Sequence, residues 1–374
     1  MKIVVVAHGN IPAQTANSIQ LMKMAQAFSG LGHKTIVFVP GKDPGLPWRK
    51  LSRHYGLKRR FELRWLPSHP WLRRYDFAHA AVTAAQTWGA DLVYTRLPQA
   101  AALSARRGVP TVFELHGLPT GTMGPWRTRR FLDAQGANLL VTITKALARE
   151  LKKRFRFPKR ENLLLVAADG VDIERYANLP TPKSARKRLG LGEAFTAGYT
   201  GHLYAGRGIE LILSVARKLP KIQFLFVGGT AEDVERRKRQ AEDLDNVHFT
   251  GFVPNSELPF YQAACDVFLM PHGRKGVAGS SGGDIASYAS PLKMFEYLAC
   301  GRPLLASDLP VFREVLNESN AVLLPSRDVA AWAAALRSLQ RSPRRRAALA
   351  RAGRRTAAQH TWELRAQKIL DSCL

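Results

Sequence analysis

In the stretch Ser290-Pro291-Leu292-Lys293-Met294-Phe295-Glu296-Tyr297-Leu298-Ala299-Cys300-Gly301, a cation stands where helix stability alone would not put it, with an acid one turn on. Ser290 fits a helix N-cap, and Pro291 fits the first helical position, where its missing N–H would have no partner anyway. Lys293 then falls in the first turn, against the positive end of the helix dipole, a placement disfavoured by roughly a few tenths of a kcal/mol or more. It makes sense if an anion binds at that helix end, with backbone N–H groups and the ammonium converging on it. Glu296 follows on the same side, placed to accept hydrogen bonds from hydroxyls beside the anion. Phosphate next to a diol describes a nucleotide. Gly273, Gly276, Gly279, Gly282 and Gly283 precede this segment among several serines. Such a loop lets backbone approach phosphate closely; alone, it is equally what a flexible surface loop looks like.

A second strand–turn–helix pattern, Thr200-Gly201-His202-Leu203-Tyr204-Ala205-Gly206-Arg207-Gly208-Ile209, sets Arg207 at another helix start. Arginine offers a fork of donors suited to a diphosphate, and lysine a compact charge. His116 closes an apolar run and is followed by Gly117, so it is either a structural strand-end histidine or a residue of the site. Asn17 and Ser18 open the first helical pattern, and Gln14-Thr15-Ala16 before them can turn backbone donors toward a ligand. Metal use is not expected. Asp243-Leu244-Asp245 has acid-x-acid spacing but ends a charged helical stretch, no His/Glu cluster suits zinc, and no Gly-Lys-Ser run is present. Asp169-Gly170-Val171-Asp172 reads as a turn between two halves of the chain.

The elements that hold these residues alternate. Apolar, β-branched runs at 3–7, 35–39, 92–95, 111–115, 139–143 and 163–166 are separated by helical patterns, notably 17–31, 77–87 and 145–155. The scheme repeats with strands near 197–200, 223–227, 247–249, 267–270, 303–306 and 321–324. This predicts an α/β protein of two doubly wound, Rossmann-like domains joined near 168–187. Ligands bind beyond the carboxyl ends of such strands, where His116, Gly201 and the Gly-rich loop fall, so two facing sets of strand ends predict one cleft.

The chain of 374 residues carries a formal net charge of +27, which implies an acidic partner or surface. Between Trp48 and Arg74, nine basic residues meet one acid, Glu62, with Trp48, Tyr55, Phe61, Trp65 and Trp71 interleaved. That mixture suits an anionic membrane face, suits nucleic acid equally, and is also what a solvated basic loop with core rings would show. A second basic run, Arg337 to Arg355, contains no acid, is Ala-rich and reads as a solvated helix face. No apolar run is long enough to cross a bilayer, and Cys265, Cys300 and Cys373 are scattered without metal-type spacing. The expectation is a cytosolic protein, peripheral at the inner membrane face.

The residues together resemble the retaining GT-B glycosyltransferases, specifically glycosyltransferase family four. The resemblance rests on Asn10-Ile11-Pro12 with Thr15-Ala16-Asn17-Ser18, on His116, Gly170-Val171-Asp172, Gly201 to Gly208 and Gly251-Phe252-Val253-Pro254, and above all on Ser290 to Gly301. It implies an acceptor-side domain over 1–170, a nucleotide-sugar domain over 171–359, and a terminal helix in 360–374 packing back on the first. By the same resemblance Gly201, Arg207, Val253, Ser290, Pro291, Leu292, Lys293 and Glu296 would bind the donor. Arg207 and Lys293 would hold its diphosphate and Glu296 the ribose, with His116 near the reacting centre. The family commonly has a Glu where this chain has Tyr288, and a cation where it has His202; Asp284 or Asn17 would then share the sugar contacts with Tyr288. The implied activity is metal-independent transfer of a hexose-type sugar, with retained configuration, from a nucleoside diphosphate to a lipid-linked or polysaccharide acceptor. A basic nucleic-acid-binding protein, a GT-B epimerase and a transfer-inactive nucleotide-sugar binder are the alternatives; the first leaves Ser290 to Gly301 unexplained.

Overall fold

The computed structural model describes residues 1–157, 163–277, 284 and 286–373. The chain divides into two compact units, Met1–Asp169 with Trp362–Leu374, and Gly170–Thr361. Each unit is an α/β doubly wound, Rossmann-like domain, as the alternation of apolar runs and helical patterns requires.

In the first unit the strands are β1 (Lys2–Val6), β2 (Lys34–Pro40), β3 (Glu62–Leu66), β4 (Leu92–Thr95), β5 (Thr111–Leu115), β6 (Ala137–Thr142) and β7 (Leu164–Val166), all parallel, in the order β3-β2-β1-β4-β5-β6-β7. Ile3, Val4, Val5 and Val6 are fully buried, the signature of a central parallel strand covered on both faces. Strand order reverses between β1 and β4, so the loops after these strands splay apart and leave room for a ligand. His8 follows β1, Arg96 follows β4 and His116 follows β5.

The second unit repeats the plan with β8 (Thr196–Thr200), β9 (Gln223–Val227), β10 (Val247–Phe249), β11 (Val267–Met270), β12 (Leu304–Ser307) and β13 (Val322–Leu324), parallel in the order β10-β9-β8-β11-β12-β13. Its reversal lies between β8 and β11, whose loops carry Gly201 and His272. Phe224, Phe226 and Ile212 pack on one face of this sheet with Trp332, which is anchored by a 2.9 Å bond from its Nε1 to Pro325 O.

The basic, aromatic run after Trp48 departs from a solvated or wholly membrane-facing loop. It forms a helix, Trp48–Tyr55, and the edge strand β3. Tyr55 and Phe61 belong to the core, at 0% and 7% exposure. Tyr55 OH accepts from Ala13 N at 2.8 Å and His54 Nε2 lies 3.0 Å from Ala13 O, so this run braces the loop that starts the helix Ala16–Gly30. The arginines of the later basic run, Arg337 to Arg355, are mostly exposed on the helices Val329–Arg341 and Pro343–Ala358. Among the described residues, no helix is long and apolar enough to cross a membrane.

Candidate functional site

In the second unit the helix Leu292–Cys300 starts one residue later than the sequence predicts. Pro291, not Ser290, is its N-cap, with extended backbone (φ −71°, ψ 128°), and no side chain caps the end. The reason is local: Pro291 O accepts from Met294 N at 2.9 Å, which closes the first turn without the Ser290 hydroxyl. Leu292 and Lys293 therefore occupy the first two helical positions, whose N–H groups have no partner inside the helix.

Lys293 is half-buried, and its ammonium lies over the Tyr199 ring, 3.7 Å from the centroid. Among the described residues that ammonium makes no hydrogen bond and no ion pair. Burial, then the charge of Arg207, push it well below the usual lysine range. Gly201 makes room for it: φ is +115°, and a Cβ there would stand 3.0 Å from Lys293 Nζ. Arg207 sits just before Gly208, which caps the helix Ile209–Lys218, so it precedes the first turn rather than lying in it. At Gly208, with φ +75°, a Cβ would fall 1.8 Å from Pro271 O, so only glycine lets the turn press against the end of β11. Arg207 Nη1 reaches His272 Nε2 at 2.7 Å. Burial first, then Arg207 and Lys293, hold that buried imidazole neutral.

Glu296 stands one turn beyond Lys293, where Gln262 Nε2 donates to its Oε2 at 3.4 Å. The loop of Val253 is drawn to the same end of the sheet, because Gly228 N donates to Gly251 O at 2.8 Å while Gly228 packs on Gly201. Val253 itself is half-buried. The first residues of the Gly-rich loop arrive there too, through Gly273 N to Gly206 O at 2.9 Å. Gly279, Gly282 and Gly283 lie outside the described residues. The Asp284 carboxylate accepts from Gly276 N (2.8 Å), Val277 N (3.1 Å) and Ala286 N (2.9 Å), so it ties the base of that loop. Tyr288 is half-buried in the following turn. Gly201, Arg207, Val253, Leu292, Lys293 and Glu296 thus gather at one end of one sheet, around two cations at helix starts. Two cations and the free N–H groups of a helix start are groups that can hold an anion.

In the first unit the sequence singled out His116 and missed what holds it. His116 Nε2 meets Glu114 Oε1; an ionised carboxylate only accepts, so the ring donates from Nε2 and keeps its Nδ1 lone pair. Glu114 also accepts from Gln20 Nε2 (2.8 Å), from Tyr94 OH and from Arg365 Nη2 (2.8 Å). Burial alone would raise the Glu114 carboxyl, but Arg365, the His116 bond and Arg96 hold it well below the usual range. His116 is lowered to about 4 by burial and by Arg96, so it is neutral at pH 7. Asp169, read from sequence as part of a turn, is buried against this group and raised to about 7, chiefly by burial. Asn17, in the first turn of the helix Ala16–Gly30, is half-buried behind the Thr15 cap. The missed signal was Glu114 itself, a charge inside the otherwise apolar run Thr111–Leu115.

Glu114, His116 and Asp169 bring three potential ligand atoms within 4.8 Å of one another. The donor set does not suit a divalent ion: both Glu114 oxygens already take two hydrogen bonds each, and Arg96 and Arg365 supply the positive charge. Asp243 is bound by Arg217 through two 2.7 Å contacts, which accounts for half of the acid-x-acid pattern.

Comparison with known proteins agrees with this layout. Residues 18–175 match the family model described as Glycosyltransferase Family 4, and residues 194–342 that described as Glycosyl transferases group 1. A GDP-mannose-dependent alpha-(1-6)-phosphatidylinositol monomannoside mannosyltransferase of Mycolicibacterium smegmatis is 30% identical over 212 residues, 54% of either chain, so the match spans about half of that relative. A phosphatidyl-myo-inositol mannosyltransferase of Mycobacterium leprae is 23% identical over 94% of this chain and 90% of its own length. Among solved structures, sucrose-phosphate synthase from Thermosynechococcus elongatus (TM-score 0.76, 18% identity, 99% and 98% covered) shares the fold. So does Anabaena HepE, solved with UDP-glucose (TM-score 0.75, 18% identity, 100% and 99% covered).

Proposed function

The chain belongs to the glycosyltransferases of family 4 and group 1, with the GT-B fold, and from that premise we propose that it transfers a hexose, mannose foremost, from a nucleoside diphosphate to an inositol-phospholipid type of acceptor. The donor and acceptor classes follow the names of its relatives. One observation carries the reading: the Lys293 ammonium, half-buried at a helix start beside Arg207, has no hydrogen-bond acceptor among the described residues. A donor diphosphate supplies that acceptor.

In this reading Arg207, Lys293 and the N–H groups of Leu292 and Lys293 grip the diphosphate, while Glu296 takes the ribose hydroxyls. Ser290 and Pro291 shape the approach to that helix end. Breaking the anomeric bond puts positive charge on the sugar and negative charge on the departing diphosphate. Fixed cations and N–H dipoles stabilise that negative charge without reorganising, so no metal is needed. The acceptor hydroxyl attacks the face the diphosphate leaves, its proton passes to a phosphate oxygen, and configuration is retained. His116, neutral and donating from Nε2 to Glu114, offers Nδ1 to a sugar hydroxyl. By the family resemblance Val253 borders the base, and Tyr288 and Asn17 are candidate sugar contacts. The enzyme works at the cytosolic face of a membrane, where its acceptor is held.

The test incubates the full chain with GDP-mannose, UDP-glucose or GDP-glucose and phosphatidylinositol acceptors, with and without EDTA. Lipid mannosylation that persists in EDTA and gives an α-anomer by NMR is expected. Absence of transfer from every donor, together with no donor-induced rise in melting temperature, discards the proposal.

A further inference from the structure

Among the described residues, the exposed rings of the first unit lie at the far end of the basic run 48–74, just past it, and on the helix Met123–Leu132. Trp71 is 76% exposed, Trp126 46%, Tyr75 43% and Met123 41%. Arginines join these rings into one surface. Arg127 lies 4.9 Å from the Tyr75 ring centroid and donates from Nε to Tyr75 OH at 3.1 Å; Arg130 lies 4.6 Å from the Trp126 ring. On the other side His69, 6.1 Å from the Trp71 ring, binds Asp76, the neighbour of Tyr75, at 2.6 Å through its backbone and 2.9 Å through its ring. Between Trp71 and Tyr75 the chain turns through Arg73 and Arg74, both left-handed (φ 46° and 67°), a conformation that residues with a side chain rarely adopt. Arg74 acts electrostatically on His8, at the end of β1, together with Arg96, which also acts on His116.

We propose that this surface, Trp71 to Tyr75 with Met123 to Arg130, seats the first unit on an anionic lipid bilayer. The inference rests on the lipid-acceptor reading above and gives it a place on the molecule. Tryptophan and tyrosine edges settle at headgroup depth, methionine reaches further in, and the arginines meet lipid phosphates. A nucleic-acid strand fits less well. Single-strand sites need open ring faces for bases to stack on, and here Arg127 and Arg130 already cover a face of Tyr75 and of Trp126. The run 48–66 is not the seat, because Tyr55 and Phe61 are in the core and Trp48 and Trp65 are half-buried.

The experiment sediments the full chain with phosphatidylcholine vesicles, and with vesicles in which a third of the lipid is phosphatidylglycerol. Brominated acyl chains read tryptophan insertion. The parent is expected to bind the anionic vesicles and to be quenched. Trp71→Ser/Trp126→Ser should lose quenching, and Arg127→Ser/Arg130→Ser should bind on the order of tenfold more weakly. Lys50→Ser/Arg53→Ser, in the helix Trp48–Tyr55, should keep most of its binding. Donor-induced thermal shift is measured on every variant and should not change. Equal binding by parent and both patch variants, or equal binding to neutral and anionic vesicles, overturns the proposal, as does preferential protection of these rings by an oligonucleotide. Donor binding and turnover without vesicle binding would remove the docking surface and leave the transferase reading standing; vesicle binding without any donor effect would do the reverse.

Discussion

Arg207 Nη1 stands 2.7 Å from His272 Nε2, so a guanidinium is held in place by an uncharged base. An arginine only donates, so the imidazole accepts through Nε2 and carries its proton on Nδ1. That Nδ1 is buried without a partner among the described residues, a cost of about 1–3 kcal/mol. A carboxylate in the same position would orient Arg207 equally well but would cancel its charge, and with it the attraction for a diphosphate. His272→Ala is therefore expected to lower kcat/KM for the donor about tenfold or more, the worth of a hydrogen bond to a charged group. His272→Asp should be worse than His272→Ala, and His272→Asn should recover part of the loss. Steady-state kinetics with varied donor checks the ranking; an aspartate variant that outperforms alanine would show that charge on Arg207 is not what His272 protects.

Lys293 sets function against stability. Its ammonium is disfavoured by burial and by Arg207; in the proposed function the donor diphosphate compensates. Because the folded-state pKa is depressed, the folded form binds fewer protons than the unfolded chain, and stability rises as pH climbs through that interval. Lys293→Met keeps the apolar stem and removes the charge. Its melting temperature without donor should equal or exceed that of the parent, while kcat/KM falls about 100-fold or more and the donor-induced thermal shift disappears. Glu296→Ala should weaken donor binding with the fold intact. Differential scanning fluorimetry with and without nucleotide-sugar reads both effects, and near-parental turnover in both variants would remove these residues from the site.

The Arg365–Glu114 pair ties the helix Trp362–Asp371 to β5. Arg365 also donates from Nε to Ala168 O at 3.0 Å and from Nη2 to Ala167 O at 3.3 Å, so one guanidinium fixes three segments of the first unit. Removing one partner of such a buried pair leaves the other charge uncompensated, at about 3–5 kcal/mol. Arg365→Met and Glu114→Gln should each destabilise by that order, and the double variant by clearly less than their sum. Urea unfolding of the four-member cycle gives the coupling. Glu114→Gln also lets His116 change tautomer, since an amide can donate or accept. Its kcat should therefore drop further than that of Arg365→Met at matched stability, and additive energies with equal kcat would break the link.

The parts legible in sequence were those whose cause is local. Parallel strands buried on both faces read as unbroken apolar runs, and Val267–Met270 and Gln223–Val227 stand where those runs predict. β3 was illegible because Glu62 and Arg64 alternate with Leu63 and Trp65 at a half-exposed sheet edge, where the signal drowned among basic neighbours. The positions of Arg207 just before one helix and of Lys293 and Glu296 in another were legible because a turn and a helix start are set within ten residues. The partner of Glu114 lies 251 residues away, so the charge could be noticed in its apolar strand but not what neutralises it. His272 has a like reason: it sits two residues past β11, and its partner Arg207 is brought to it from 65 residues back by sheet pairing.

Asp169 titrates in the physiological range, and its sign can be worked out. Burial raises its carboxyl to about 7; Glu114 adds to the rise, and Arg365 and Arg96 oppose it. Its unfolded pKa is about 3.9. Between these values the folded state binds more protons than the unfolded chain, so stability falls as pH rises. The contribution is fully present below about pH 4 and gone above about pH 7, and amounts to a few kcal/mol on the order of 1.4 per unit. His8 and His116, both lowered to about 4, act oppositely: their share is lost as pH drops from about 6.5 toward 4. Asp169 thus subtracts from a stability that the two histidines, and Lys293, build as pH rises. Asp169→Asn cannot ionise, and removes the alkaline decline while leaving the acid one. Its stability relative to the parent should climb steadily from pH 4 to pH 7 and then level off, as read by urea midpoints across that range. A difference that stays flat with pH would mean that Asp169 is already ionised in the folded protein and is neutralised by Arg365, in which case the buried charges of the first unit balance without a proton.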